Sequence, residues 1–128
     1  TIHSNSCEST YRRMVSLCKR AVDMSDETLM GYVTEAYPIV VFCKQLENKQ
    51  RRLMEIMECE ILPDNSRNYR TLFRYEITEN RYEDNQFFIT GHHVTVNPIS
   101  DSLCKRLLEN GMPQERINLL KKGGQVPV

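Results

Sequence analysis

The sequence predicts an α+β fold, mainly helical, with a small antiparallel sheet and a C-terminal β-hairpin. Three observations carry this. Apolar residues recur at three- and four-residue spacing through most of the first sixty positions. Asp101 to Asn110 carries Leu103, Leu107 and Leu108 at helical spacing, with Gly111 where a helix C-cap glycine belongs and Pro113 after it as a non-helical marker. Then Ile117-Asn118-Leu119-Leu120 runs into Lys121-Lys122-Gly123-Gly124, and Gln125 to Val128 returns. Gly-Gly supplies the positive φ of a tight hairpin turn at no steric cost. A helix followed by a basic-tipped hairpin is the pattern of a winged helix, so the expected class is a variant winged-helix domain over residues 9–128. The plainer alternative for the last segment is an amphipathic helix with a frayed tail.

Taken in order, residues 1–8 read as disordered or tag-like. Helical periodicity begins near Ser9, with Tyr11, Met14, Val15 and Cys18 on one face. Ser25 is a good N-cap, followed by Asp26 and Glu27 where the helix dipole favours anions. Leu29, Met30, Val33 and Tyr37 face inward on that second helix, which Pro38 kinks or breaks. Ile39, Phe42, Cys43, Leu46, Leu53, Ile56 and Met57 keep a three-to-four spacing, so a third helix of about five turns is expected. Lys44, Lys49, Arg51 and Arg52 decorate it as a solvated face, a binding patch being the minority reading. Leu62 to Ser66 is a turn. Residues 69–77 alternate as a strand does, yet Leu72, Phe73 and Glu76 also fit a helix. Asn80 to Gln86 is polar and favours a turn; Gln86 to Thr90 is strand-like, and His92 to Val96 continues it past a bend at Gly91. Asn97-Pro98 is a turn, and Ser100 is the N-cap candidate for the next helix.

Composition narrows the function classes. No run of 18 apolar residues occurs, so a membrane helix is not expected. The chain opens on Thr1 without a Met, which suggests a processed chain or a fragment. Seventeen basic residues balance seventeen acidic ones, which argues against a wholesale nucleic-acid binder. Charge is segregated locally: Glu55, Glu58, Glu60 and Asp64 are close together, as are Arg12, Arg13, Lys19 and Arg20, a pattern that suits an acidic protein partner. The five cysteines, 7, 18, 43, 59 and 104, are odd in number and form no CxxC. They fit neither zinc nor a disulfide framework, and the last four read as small buried hydrophobes in a reducing compartment, cytosol or nucleus.

No catalytic motif stands out. His92 and His93 are adjacent, and neighbouring strand residues point to opposite faces, which makes a poor chelating pair. Cys104 beside Lys105 and Arg106 is the one half-candidate for a nucleophile, and packing with Leu103 and Leu107 explains it better. The expectation is a chain that is not an enzyme and needs no metal or cofactor. The basic residues carry the stronger signal. Lys105, Arg106, Arg116, Lys121 and Lys122 are expected to share one side of a winged-helix domain and to bind phosphates or carboxylates.

Tyr11-Arg12-Arg13-Met14, Thr28 to Glu35, Arg70-Thr71-Leu72-Phe73-Arg74-Tyr75, Gln86-Phe87-Phe88-Ile89 and the closing Leu107-Leu108, Arg116-Ile117 and Lys121-Lys122-Gly123-Gly124 together carry a family likeness. In order and spacing they resemble the C-terminal microtubule-binding domain of the first subunit of the spindle and kinetochore-associated complex. The chain departs from that pattern at Gly91-His92-His93 and at Asn110 to Pro113. The resemblance implies a winged-helix module that attaches chromosomes to spindle microtubules in mitosis, located at the kinetochore and spindle, with residues 70–75 helical. It implies sister subunits bound through a segment absent here, and tubulin contacts through Arg12, Arg13, Lys19, Arg20, Lys105, Arg106, Arg116, Lys121 and Lys122. Two readings compete with it: a winged-helix nucleic-acid binder, which the neutral charge and the poor base-reading chemistry of the 101–109 helix disfavour, and a protein-interaction adaptor.

Overall fold

The computed structural model describes residues 1–122. Two helices come first, α1 (Cys7–Cys18) and α2 (Asp26–Ala36). Four strands follow without interruption: β1 (Ile39–Gln45), β2 (Arg51–Ile61), β3 (Arg67–Glu83) and β4 (Gln86–Thr95). They pair antiparallel in the order β1-β2-β3-β4. Two short helices close the described chain, α3 (Asp101–Glu109) and α4 (Gln114–Lys121).

This overturns the mainly helical winged helix. The sheet is the spine of the molecule, and the expected third helix over residues 39–57 is the β1–β2 hairpin. The physical reasons are local. Pro38 lacks an N–H and biases the preceding residue away from helical angles; Tyr37 stands at φ −125°, ψ 76°. Ile39-Val40-Val41-Phe42 is then a β-branched and aromatic run, costly in a helix and suited to a pleated sheet. The chain reverses where Lys49 takes φ 66°, the Leu46 N–H donates to the Gln50 carbonyl at 2.9 Å, and the Asn48 side chain accepts from the Gln50 N–H at 3.1 Å.

β2 hides its own alternation because both faces of the sheet are covered. Ile56 and Met57, neighbours on β2, enter different cores. On one face Met57 and Cys59 pack with Cys7, Tyr11 and Val15 of α1 and Leu29 and Val33 of α2. On the other, Ile56, Leu72 and Phe73 meet Ile99, Leu103 and Cys104 around α3 and Ile117 of α4. Tyr11 is fully buried, and its hydroxyl donates to the Tyr37 carbonyl at 2.6 Å, tying α1 to the end of α2.

β3 is a strand throughout, so the helix that the family likeness implied for residues 70–75 does not form. Its register slips by one residue opposite Ile56 and Met57, which pair with Phe73 and Thr71 and leave Leu72 unpaired as a bulge. Leu72 nonetheless packs at 3% exposure in the α3–α4 core.

The closing hairpin is also corrected. Residues 117–120 belong to α4, with Pro113 in extended conformation at its N-cap, Ile117 buried at 1% exposure and Leu120 beside the same core. Proline is tolerated at a helix start, where an N–H would go unpaired anyway. Gly123, Gly124 and the returning strand Gln125 to Val128 lie outside the described residues. At the other end, α1 starts two residues earlier than Ser9, with Ser6 capping it, and Cys7 is buried, so part of the tag-like stretch belongs to the fold. The expected turn over Asn80 to Gln86 shrinks to Asp84-Asn85, since β3 runs to Glu83, while three expected helix boundaries stand. Ser25 and Ser100 cap α2 and α3 through bonds from the N–H groups of Thr28 and Leu103, and Gly111, at φ 91°, follows the C-cap of α3.

Candidate interaction surface

The basic residues singled out in the sequence do not gather on one surface. Arg12, Arg13, Lys19 and Arg20 lie on or just after α1, over one face of the sheet; Lys105, Arg106, Arg116, Lys121 and Lys122 lie on or beside α3 and α4, over the other. Several are already engaged. Arg12 meets Glu8 at 3.4 Å, Lys19 meets Asp26, and Lys105 meets Glu109 at 4.0 Å. Lys121 meets Asp101 at 3.1 Å, a contact that holds its ammonium above the usual lysine range, and the Arg106 guanidinium donates to the Glu35 carbonyl at 2.9 Å. Arg13, Arg20, Arg116 and Lys122 are exposed and form no ion pair among the described residues.

Groups with chemical potential are mostly committed to the fold. His92 and His93 lie side by side on β4; His93 stacks on Tyr75, with ring centroids 5.1 Å apart, and bonds the Leu53 carbonyl at 3.0 Å. Cys104 is buried, and burial pushes its thiol up, away from the thiolate a nucleophile needs, although Lys121 opposes this. A cleft of about 150 Å³ between α2, β2 and α3 is lined by Glu35, Glu58, Glu60 and Arg106 among others. It opens where β1 begins opposite Glu58 and leaves the end of β2 uncovered. Two of its carboxylates are already engaged by neighbouring residues. Glu58, 2% exposed, accepts from the Ser100 N–H at 2.8 Å and from the Ser100 hydroxyl; Glu60 meets Arg70 at 3.5 Å. A carboxyl group at the start of α3 suits the positive end of the helix, so Glu58 and Ser100 form a buried two-residue cap. No cluster of three metal-ligating side chains occurs among the described residues.

The surface that stands out is one the sequence reading did not single out. β2 pairs with β3 only as far as Glu55 opposite Arg74. Beyond that point β3 and β4 continue alone as a two-stranded ribbon, Tyr75 opposite His93 through to Glu83 opposite Gln86. From Ile77 to Glu83 this arm runs for roughly 20 Å at strand rise. Asp84 and Asn85 close it, both at positive φ (51° and 61°), the geometry of a type I′ turn whose twist matches the strands. Gly91 is required at its base: a Cβ there would lie 2.2 Å from the Glu76 carbonyl oxygen and 2.8 Å from the Tyr75 ring.

The arm has two unlike faces. Register places Tyr75, Ile77, Asn80 and Tyr82 on one face with Phe87, Ile89, Gly91 and His93. As far as mid-arm this face is partly covered, because Tyr75 and Ile89 pack with Leu46 and Met54 of the neighbouring hairpin. Farther out it is bare: Tyr82 is 61% exposed and Phe87 41%, and Ile77, nearer the base, is 43% exposed. The Tyr82 and Phe87 rings stack on each other with centroids 4.8 Å apart. On the opposite face Arg81 lies 4.4 Å over the Phe88 ring, donates to Glu79 at 2.8 Å and contacts Glu83.

The β1–β2 turn reverses at the same end of the meander, since alternate turns of an antiparallel sheet share an end. Lys44, Lys49, Arg51 and Arg52 cluster there against the single acid Glu47. Arg52 reaches to 5.9 Å from the Tyr75 ring centroid. The two hairpins thus carry opposite charge, the β3–β4 arm holding Glu79, Glu83 and Asp84 against Arg81.

No family model and no curated protein matches this chain.

Proposed function

We propose that this chain is a protein-docking module that works through the outer apolar face of its β3–β4 arm. The carrying observation is the bare pair Tyr82 and Phe87 on a two-stranded ribbon that projects past the packed layers. A ribbon of two strands is marginal in water by itself, and aromatic side chains are the usual anchors of protein interfaces. No charge or nucleophile along this face suggests chemistry; the face offers area and shape. The reading is the adaptor alternative raised by the sequence, with the arm as its surface.

The test is a paired substitution. The wild-type chain, in an extract of the cells that make it, is expected to elute from a sizing column in an assembly larger than a monomer. Tyr82→Ser with Phe87→Ser is expected to elute as a monomer while its far-ultraviolet circular dichroism stays that of the wild type. Equal elution of the two would overturn the proposal.

Attachment to an acidic polymer such as a microtubule is the second reading. Its support is the exposed Arg13 and Arg20, unpaired among the described residues and seven residues apart on and just after α1, with Arg116 and Lys122 on or beside α4 over the other face of the sheet. Salt-sensitive co-sedimentation with microtubules, lost in Arg13→Ala with Arg20→Ala, would favour it; no pelleting at low salt would remove it. Kinetochore location and sister subunits stand or fall with that result.

A further inference from the structure

We infer that the occupant of the arm's bare face is a second copy of this chain, bound arm against arm about a two-fold axis. This rests on the docking reading above and names the partner. Three observations lead to it.

The first is charge. The arm tip is acidic, with Glu79, Glu83 and Asp84 outnumbering Arg81, and the β1–β2 turn is basic, with Lys44, Lys49, Arg51 and Arg52 outnumbering Glu47. The two patches are complementary, and one chain carries both. The chain's net charge is zero, so long-range repulsion between copies is absent.

The second is placement. Both turns lie at the same end of the sheet. Leu46, at the start of the β1–β2 turn, packs with Tyr75 and with Ile89, which pairs with Asn80, so the basic turn reaches level with the middle of the arm. The acidic tip at Asp84 and Asn85 lies beyond it by about four residues of strand, roughly 13 Å. Two arms laid side by side and antiparallel therefore overlap so that each acidic tip reaches the other copy's basic turn. One two-fold rotation makes both contacts at once, the self-complementary arrangement of an isologous dimer.

The third is the apolar surface between these contacts. Ile77, Tyr82 and Phe87 share the face that the overlap would cover. Arg81, Glu79 and Glu83 lie on the opposite face at the rim of the overlap, where one cation against three acids, Asp84 included, leaves the tip net negative. Charge at the two ends sets the register of the arms, and the aromatic pairs between them supply the burial.

Sedimentation velocity of the purified chain tests this. The wild type is expected to pass from monomer to dimer as concentration rises, with the dimer weakened by high salt. Glu79→Lys with Glu83→Lys should be monomeric, as should Lys49→Glu with Arg51→Glu, and an equimolar mixture of the two should restore a dimer. Tyr82→Ser, an exposed substitution that leaves the core intact, should shift the dimer towards monomer without charge change. A wild type that stays monomeric at every concentration overturns the proposal, and so does a mixture that fails to associate when the wild type does. A monomeric purified chain that still enters a larger assembly in extract through Tyr82 and Phe87 would remove the second copy as occupant and leave the docking reading standing. Monomers in both experiments would remove both.

Discussion

At the scale of single residues, the fold is held by a few buried groups whose chemistry is fully satisfied. Tyr11 fills the centre of the α1–α2 core and its hydroxyl caps the Tyr37 carbonyl. Tyr11→Phe should cost about 1 kcal/mol and Tyr11→Ala about 3–5 kcal/mol, read as chemical-denaturation midpoints, because the first loses a hydrogen bond and the second leaves a cavity. Glu58→Ala should cost about 2–4 kcal/mol, since it strands the buried Ser100 N–H and uncaps α3. Cys7 gives a pH signature. Burial first, then the nearby Glu55, pushes its thiol up from 9.0 to about 12. The unfolded chain therefore gives up this proton first as pH rises, and the stability that the neutral thiol confers, complete below pH 9.0, is lost progressively towards about 12. Unfolding midpoints measured across that window should fall, and fall less steeply in Cys7→Ala. Residues of this kind were legible in sequence where their signal is local. Ser25, Ser100 and Gly111 act as caps because a hydroxyl or a positive φ is needed at one position. Glu58 was not legible as a cap, because its partner lies 42 positions away and an acid in a strand normally reads as solvated.

At the scale of elements, the outcome was decided by which of two periodicities tertiary packing honours. Residues 39–57 satisfy a helical spacing only because β2 is half-covered on both faces and Met54 sits opposite no residue of β1, so the period-two signal is blurred. The local chemistry, Pro38 followed by Ile39-Val40-Val41-Phe42, pointed to a strand and won. In residues 69–77 the alternation was correct, and the family likeness that favoured a helix was not. Ile117 to Leu120 failed the other way: four residues are too few to fix a period, and docking of Ile117 against α3 decided it. The arm escaped notice because Tyr82 falls within a polar stretch that reads as a turn, while the turn itself is only Asp84-Asn85. The arm's integrity depends on Gly91. Gly91→Ala should loosen the ribbon by forcing the strand away from the Glu76 carbonyl, seen as faster amide exchange over residues 77–90 with little change in α1 and α2.

At the scale of the whole molecule, the helices and sheet make a closed three-layer body from which one feature departs. Both faces of the central sheet are packed by helices, and the described chain has no helix long and apolar enough to cross a membrane. Against that body, the β3–β4 arm exposes aromatic surface that burial would favour by about 25 cal/mol for each Å² removed from water. Opposite charges at the two hairpins give the same surface a direction. The basic residues first expected to form one polyanion-binding wall are divided between the two faces of the sheet, and several are neutralised by neighbours, which leaves the arm as the feature that most needs a partner. The most direct measurement places a photo-crosslinking residue at position 87, with position 119 on α4, equally exposed, as control. The account predicts a discrete crosslinked product from position 87 alone, competed away by excess wild-type chain and not by chain carrying Tyr82→Ser and Phe87→Ser. The same product from both positions, or one that both competitors remove equally, would contradict it.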